Sequence, residues 1–439
     1  MLSVADNELL TRVGAGTPTG DLLRQYWHPV LFSHELTTAG DPQRVKLLGE
    51  DLIAFRDSSG QPGLIANNCP HRGASLFFGR NEEVEPGLRC VYHGWKFDTT
   101  GQCVDMPNEP AESDFRTKVK ATAYPCREQG DVIWTYMGPR TTPPALPDLE
   151  WAILPAEHRR FPWRAIRQCN WLQAMEGDLD TSHPFFLHAR LNAEDPEAYG
   201  LYHPDKTPRL FVVDTDVGVM YGSRRQADAT SHYWRTSQYL MPNITMFPAD
   251  PDEVVPGHMW VPMDDTHTLI WCFAWTPTRP LTEQERAGDS LSGQMNELWR
   301  PNLGPTAFQP PHGGRPYVNS WAVETLDNDF HLDRQLQRER SFTGIPTIPL
   351  QDDAVTTSMG PISDRTLEHL GSADAMIIRV RRRLLAAVRA LRERGTLPPG
   401  VDSPAAYRKR SMATVLPDGA DWVSALRDWH EARVTASPR

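Results

Sequence analysis

The sequence predicts an α+β chain in two folded parts, a small all-β domain followed by a larger part in which helices cover an antiparallel sheet. Three observations predict it. From Arg44 to Gly138, short apolar runs (VKLLGEDLIAF, GLIANN, GLRCVYHGW, DVIWTYMG) are divided by Gly, Pro and Asp-Ser, the texture of closely spaced strands. Pro143, Pro144 and Pro147 then interrupt the chain where neither a helix nor a central strand can continue. Beyond Phe161, a helical stretch around 170–190 precedes apolar runs around 210–222, 233–247 and 268–275, and a long helix runs from about Ser372 to Arg394.

Taken in order, residues 1–40 read as a helical leader packed on another domain, with GAGTPTG at 14–20 as a turn between two helices. Residues 41–140 form the β domain, 141–160 a Pro-rich linker, and 161–439 the second domain with its C-terminal helical extension. A chain of 439 residues suits two or three such units, and 39% hydrophobic residues including 14 Trp exclude a disordered polymer. The net charge of -11 argues against nucleic acid as a partner. The strongest apolar run, Thr268 to Trp275, is far short of a bilayer span, so no membrane segment is expected. Asp6 and Glu8 stand where a signal peptide needs basic and apolar residues, which predicts a cytoplasmic protein. Six Cys are too few for a disulfide scaffold in a chain this long, so they are thiols or metal ligands.

Two of the six are patterned. CPHRG (69–73) and CVYHGW (90–95) each place a Cys and a His in one loop, with 18 residues between His71 and Cys90. Cys69, His71, Cys90 and His93 can hold zinc, or a [2Fe-2S] cluster with two His on one iron; one Cys and one His per loop favours the cluster over a zinc finger, whose two Cys share a knuckle. Gly73 and Gly94 permit tight turns behind each His. Cys103, Cys126, Cys169 and Cys272 lack such spacing and read as small buried hydrophobes.

A second constellation lies in NWLQAMEGDLDTSHPFFLH (170–188). On a continuous helix Glu176, Asp180 and His183 share a face, while His188 needs a break to reach the same point, which Pro184 supplies as a kink just after His183. Two imidazoles and a carboxylate on one face of Fe(II) leave positions open for dioxygen. Candidates for the carboxylate are Asp352 and Asp353 in PLQDDAV, with Asp180 and Glu176 as local competitors.

These motifs resemble those of Rieske non-haem iron aromatic-ring-hydroxylating oxygenases, large subunit, in the phthalate dioxygenase-like group. The resemblance rests on CPH, CVYH, Glu176-x3-Asp180-x2-His183-x4-His188, and stretches such as VKLLGED, HRGASLFFGRNEE and QDDAVTTSMGPISDRTLEHLG. It implies a Rieske domain, then a helix-grip (START-like) catalytic domain, in trimers or trimer-based hexamers. It implies Cys69, His71, Cys90 and His93 as cluster ligands. It implies His183, His188 and Asp352 as iron ligands, with Asp353 as the neighbour left open. Asp180 is the implied electron bridge from His183 to His93 of an adjacent subunit, and Asn170 matches a polar position near the iron that equally suits a helix N-cap. An NADH-dependent flavin or iron-sulfur reductase is the implied electron source, and dioxygen and an aromatic, carboxylated compound are the implied substrates. O- or N-dealkylating or ether-cleaving monooxygenation is the alternative within the family. Where the phthalate enzymes have a small polar residue after the first iron histidine, this chain has Pro184.

An electron carrier would need the cluster alone, leaving the second domain without purpose, and a zinc-binding interaction module would lack sulfide. Arg209, Arg224 and Arg225 can meet a substrate carboxylate but read as surface residues. Arg379–Arg383 (RVRRR) reads as a solvated helix face, with reductase docking as the other reading. His331 with Asp327 and Asp329 reads as surface polarity.

Overall fold

The computed structural model describes residues 1–192, 207–250, 253–287 and 316–433. Its N-terminal part contains three small antiparallel sheets. The third, formed by Arg80–Asn81, Leu88–Arg89, Lys96–Phe97 and Cys103–Asp105, carries the two Cys/His loops. The first begins inside the expected leader. Trp27–Phe32 pairs with Val132–Tyr136, with a register shift at Pro29, where this edge strand lacks a donor.

The second part is one antiparallel sheet that includes nine strands among the described residues. The path runs Arg159–Arg160, Thr268–Trp275, Val255–Pro262, Ile244–Met246, Ser231–Leu240, Gly218–Asp228, Arg209–Asp214, with Arg164–Arg167 also on Thr268–Trp275 and Met412–Pro417 on Ser231–Leu240. Alternation along Thr268–Trp275 sorts its two faces. Trp271 and Phe273 meet Phe32 of the first part and Trp151 of the linker, at ring separations of 4.7 and 5.1 Å, so one face seats the β domain. Cys272 points to the other face and clusters with Ile348 of the helix Ile348–Ser358. The helix Trp171–Leu179 lies against Ile244–Met246 and Val255–Pro262.

Both helices of the leader, Val4–Thr11 and Pro18–Leu23, pack on the long helix Ala375–Arg394. The leader also braces the start of Trp171–Leu179: Asn170 Nδ2 donates to Thr11 O (2.9 Å) and Trp171 Nε1 to Leu10 O (3.2 Å). Leu2 N donates to Arg365 O (3.1 Å).

Inside Ala375–Arg394, Ile377, Val380, Arg381, Leu384, Leu385 and Val388 are buried. The reading of RVRRR as a solvated face is therefore wrong at Arg381, which falls at helical spacing on the inner stripe. There it grips Glu176 with Nε at 2.6 Å and Nη2 at 2.8 Å, and also Glu368; Arg365 adds a bond to Glu176 at 3.1 Å. Burial pushes the Glu176 carboxyl up, but Arg365 and Arg381 outweigh it and hold it below the usual range.

Burial also keeps His28 and His430 neutral, each pulled down to about 4 from 6.5. The unfolded chain takes up protons at these imidazoles from about pH 6.5 downward, whereas the folded one resists until about 4. Stability is thus expected to fall across that window by roughly 3 kcal/mol per histidine at most. Urea unfolding at pH 7, 5.5 and 4.5 checks this; a midpoint that does not move would disprove it.

Candidate metal centres

The first centre is built by two loops with the same backbone pattern. Cys69 N donates to Ala74 O (2.8 Å) and Gly73 N to Cys69 O (2.9 Å); Cys90 N donates to Trp95 O (2.8 Å) and Gly94 N to Cys90 O (3.0 Å). Gly73 and Gly94 both have φ of +78°, and a Cβ on Gly94 would lie 2.7 Å from Pro107 Cγ. The thiols of Cys69 and Cys90 are buried, and the rings of His71 and His93 stand edge-on at 4.5 Å. His71 stacks on Trp95 at 4.2 Å, and Trp95 Nε1 is fixed by Asn108 Oδ1 at 2.8 Å. Burial pushes the Cys69 thiol up to about 11, opposed by a backbone bond at His71 and reinforced by the Cys90 thiol. Paired buried thiols and a buried His93 Nδ1 without a hydrogen-bond partner fit the donor set of a [2Fe-2S] cluster with two Cys and two His.

The second centre forms where Trp171–Leu179 ends. The expected kink at Pro184 is not the break. The helix stops at Leu179 because Asp180 turns its carboxylate onto the next backbone donors, Ser182 N at 2.7 Å and His183 N at 3.2 Å. Glu176, Asp180 and His183 consequently do not share a helical face, and Pro184 sits within the short turn His183–Phe185. From there the chain carries His183 and His188 to within reach of Asp352: His183 Nε2 and His188 Nε2 lie 3.5 and 3.3 Å from Asp352 Oδ1. One ligand atom from each of the three lies within 4.8 Å of the others.

The donors face inward for a stated reason. Gln351 Nε2 donates to Ile345 O (2.9 Å), which turns Gln351 Oε1 toward His188 Nδ1 at 2.8 Å. His188 therefore carries its proton on Nδ1 and presents a free Nε2 lone pair to the cup. Asp180 Oδ2 stands 3.6 Å from His183 Nδ1, the nitrogen opposite the one facing Asp352. Burial pushes Asp352 up, but His188 and His183 outweigh it and hold the carboxyl well below its usual range. An enclosure of two imidazoles and one carboxylate fits a divalent iron. Asp178 pins the helix to the sheet by accepting from Thr245 Oγ1 (2.5 Å), His258 Nδ1 (2.9 Å) and Trp260 Nε1 (3.1 Å).

The sequence of residues 26–125 matches the Rieske [2Fe-2S] domain family, and residues 135–301 and 316–437 match the LigXa C-terminal domain-like family. The chain is 42% identical to the 3-chlorobenzoate-3,4-dioxygenase oxygenase subunit of Comamonas testosteroni, over 99% of this chain and 100% of that protein. It is 38% identical to the phthalate 4,5-dioxygenase oxygenase subunit of Pseudomonas putida, over 89% and 87%.

The chain belongs to the Rieske oxygenases of the phthalate dioxygenase-like group.

The fold agrees: the terminal oxygenase of carbazole 1,9a-dioxygenase from Nocardioides aromaticivorans IC177 superposes with a TM-score of 0.55 at 18% identity, covering 88% of this chain and 98% of that one. This Rieske oxygenase subunit is thus an oxidoreductase whose first domain is of the cluster-bearing type. No helix among its described residues is long and apolar enough to cross a membrane.

Other candidates of the sequence fall into place around the oxygenase site. Asp353 turns away from the cup and accepts from Thr357 Oγ1 at 2.8 Å; burial pushes its carboxyl up to about 6. Glu176 is spent on Arg365 and Arg381. Asn170 is the N-cap of the site helix, accepting from Leu172 N at 3.1 Å. Arg209 is exposed and Arg224 lies over Phe211 and Trp234, but Arg225, expected at the surface, is buried with its guanidinium 4.3 Å from the Phe185 ring centre. The strand Gly218–Asp228 turns it inward, one residue after the outward Arg224. His331 is exposed and approaches Glu324 rather than Asp327 or Asp329. Cys103, Cys169 and Cys272 are buried and Cys126 half-buried. Gln351 is the site residue that sequence reasoning missed; its only signal is its place one residue before Asp352.

Proposed function

We propose that this oxygenase subunit uses dioxygen, and electrons delivered from NADH by a flavin or iron-sulfur reductase, to hydroxylate an aromatic, carboxylated compound. The observation that carries the reading is the meeting of His183, His188 and Asp352 in one cup, in a chain that also holds the Cys69, His71, Cys90, His93 loops. Cys69, Cys90, His71 and His93 would hold the [2Fe-2S] cluster, and His183, His188 and Asp352 the mononuclear Fe(II). When bound, these centres supply one-electron transfer and dioxygen activation. The protein's own contribution is position and access. Gln351 fixes the tautomer of His188, Asp180 places its charge 3.6 Å from the outer nitrogen of His183, and a set of three protein donors would leave the iron open positions for dioxygen. Beside His183, a cleft of about 430 Å³ is lined by Phe186, Leu187, Leu332, Phe342 and Ile345, an apolar approach that suits an aromatic guest.

Asp180 is the proposed bridge to His93 of a neighbouring subunit in a trimer or trimer-based hexamer. Among the described residues no hydrogen bond or ion pair joins the cluster loops to Asp180 or His183 in one chain, and Val91 and Tyr92 at the loop tip are 57% and 56% exposed. Both facts support a connection made between subunits. Iron and sulfide analysis of the purified protein tests the two-centre reading. About three irons to two inorganic sulfides are expected. Equal amounts would mean an electron carrier, and zinc without sulfide a binding module.

A further inference from the structure

We propose that Arg167 is the anchor for the carboxylate of the aromatic substrate and so sets the enzyme's preference for acids over neutral rings. This rests on the aromatic-acid reading above and names the residue behind it. Arg167 ends the strand Arg164–Arg167, opposite Thr268, and alternation puts it on the same sheet face as Cys272, His258 and Trp260, the face against which the helix of Asp178 is pinned. Its side chain belongs to a residue only 4% exposed. The two arginines of this strand differ sharply. Arg164, on the opposite face, is locked by Glu35 through two bonds of 2.6 and 2.7 Å. Among the described residues Arg167 makes no side-chain hydrogen bond and has no carboxylate within 4.0 Å; its guanidinium carbon lies 5.1 Å from the Trp260 ring centre. Its nitrogens are also absent from the buried atoms sealed off without a partner, so they face a space that water reaches.

A guanidinium buried to this degree with no carboxylate in direct contact is costly, and it persists where a ligand supplies the paired anion. Its location relative to the iron cup is right for this. Burial pushes Asp352 and Asp353 up, and the Arg167 charge is felt at both in the opposite sense, yet neither carboxylate closes on it. A planar fork of N–H donors held over an indole face matches a benzoate-like acid, whose carboxylate takes two parallel bonds from the fork. The bound acid is thereby tethered at one end, which fixes the ring carbon presented to the cup.

The test is binding of benzoate and benzamide to the anaerobic holoprotein by calorimetry, for wild type, Arg167→Gln and Arg167→Lys. Arg167→Gln is expected to lose about 100-fold toward benzoate and less than about threefold toward benzamide, with Arg167→Lys intermediate because it keeps charge but not the fork. Without ligand, Arg167→Gln is expected to melt at or above wild type, since it removes an unpaired charge. Melting several degrees below wild type would make Arg167 a counter-ion of Asp353 and overturn the proposal. So would wild type binding both probes equally, or the variant losing both alike, while the aromatic-acid reading stood. Wild type binding neither probe would overturn that reading and this proposal together.

Discussion

Turnover of Asp180→Asn is expected to fall by a factor of about 100 or more, with both metal centres still loaded. The substitution is nearly isosteric, and the amide oxygen can still accept from Ser182 N, the shorter of the two backbone bonds that end the site helix, while the longer one from His183 N is given up. What it removes is the negative charge 3.6 Å from His183 Nδ1. In the wild type, burial lowers the His183 imidazole but Asp180 and Asp352 outweigh it and leave it raised, an effect of the nearby anions that a neutral amide at 180 does not replace. Steady-state turnover must therefore be measured beside iron content, sulfide content and the visible spectrum of the cluster. A variant that turns over at the wild-type rate removes Asp180 from the route between centres; one that loses iron as well makes it a structural support.

Asp352→Ala is expected to abolish turnover and leave about two irons and two sulfides per chain, the cluster without its mononuclear partner. Neither Asp353 nor Glu176 can substitute, because Asp353 is engaged by Thr357 and Glu176 by two arginines. Gln351→Leu gives the graded counterpart. It keeps all three ligands but frees His188 to take the wrong tautomer, with an expected loss of about 10- to 100-fold in iron affinity, read by competition with a chelator. Equal iron retention in both variants would contradict the cup described here.

The cluster loops were legible because a cluster constrains residue type, and Cys69, His71, Gly73 and Cys90, His93, Gly94 leave little else that their spacing can mean. The long C-terminal helix and the strand Thr268–Trp275 were legible from apolar periodicity. What escaped did so for local reasons. Val255–Pro262 (VPGHMWVP) is a strand between two others that is absent from the expected set, because two prolines and a glycine oppose strand propensity and tertiary pairing overrides it. Trp27–Phe32 was read as leader because Pro29 disguises an edge strand whose partner is about 100 residues away. The end of the site helix was misplaced because a proline is a louder signal than an aspartate, although Asp180 captures the backbone donors first. Arg381 and Arg225 show the remaining gap: a charge is assigned to the surface until its partner or its face is known.

The clasp between the leader and the second domain bears on how the protein is made. On the ribosome, Leu2 emerges well before Arg365, the residue it bonds, and at about 5–20 residues per second the interval is roughly 20 to 70 seconds. The first dozen residues must wait unsatisfied while the β domain matures, then return to close over the start of Trp171–Leu179. An excised fragment beginning at the linker would carry His183, His188 and Asp352 yet lack this closure, so the catalytic half is a poor candidate for production in isolation.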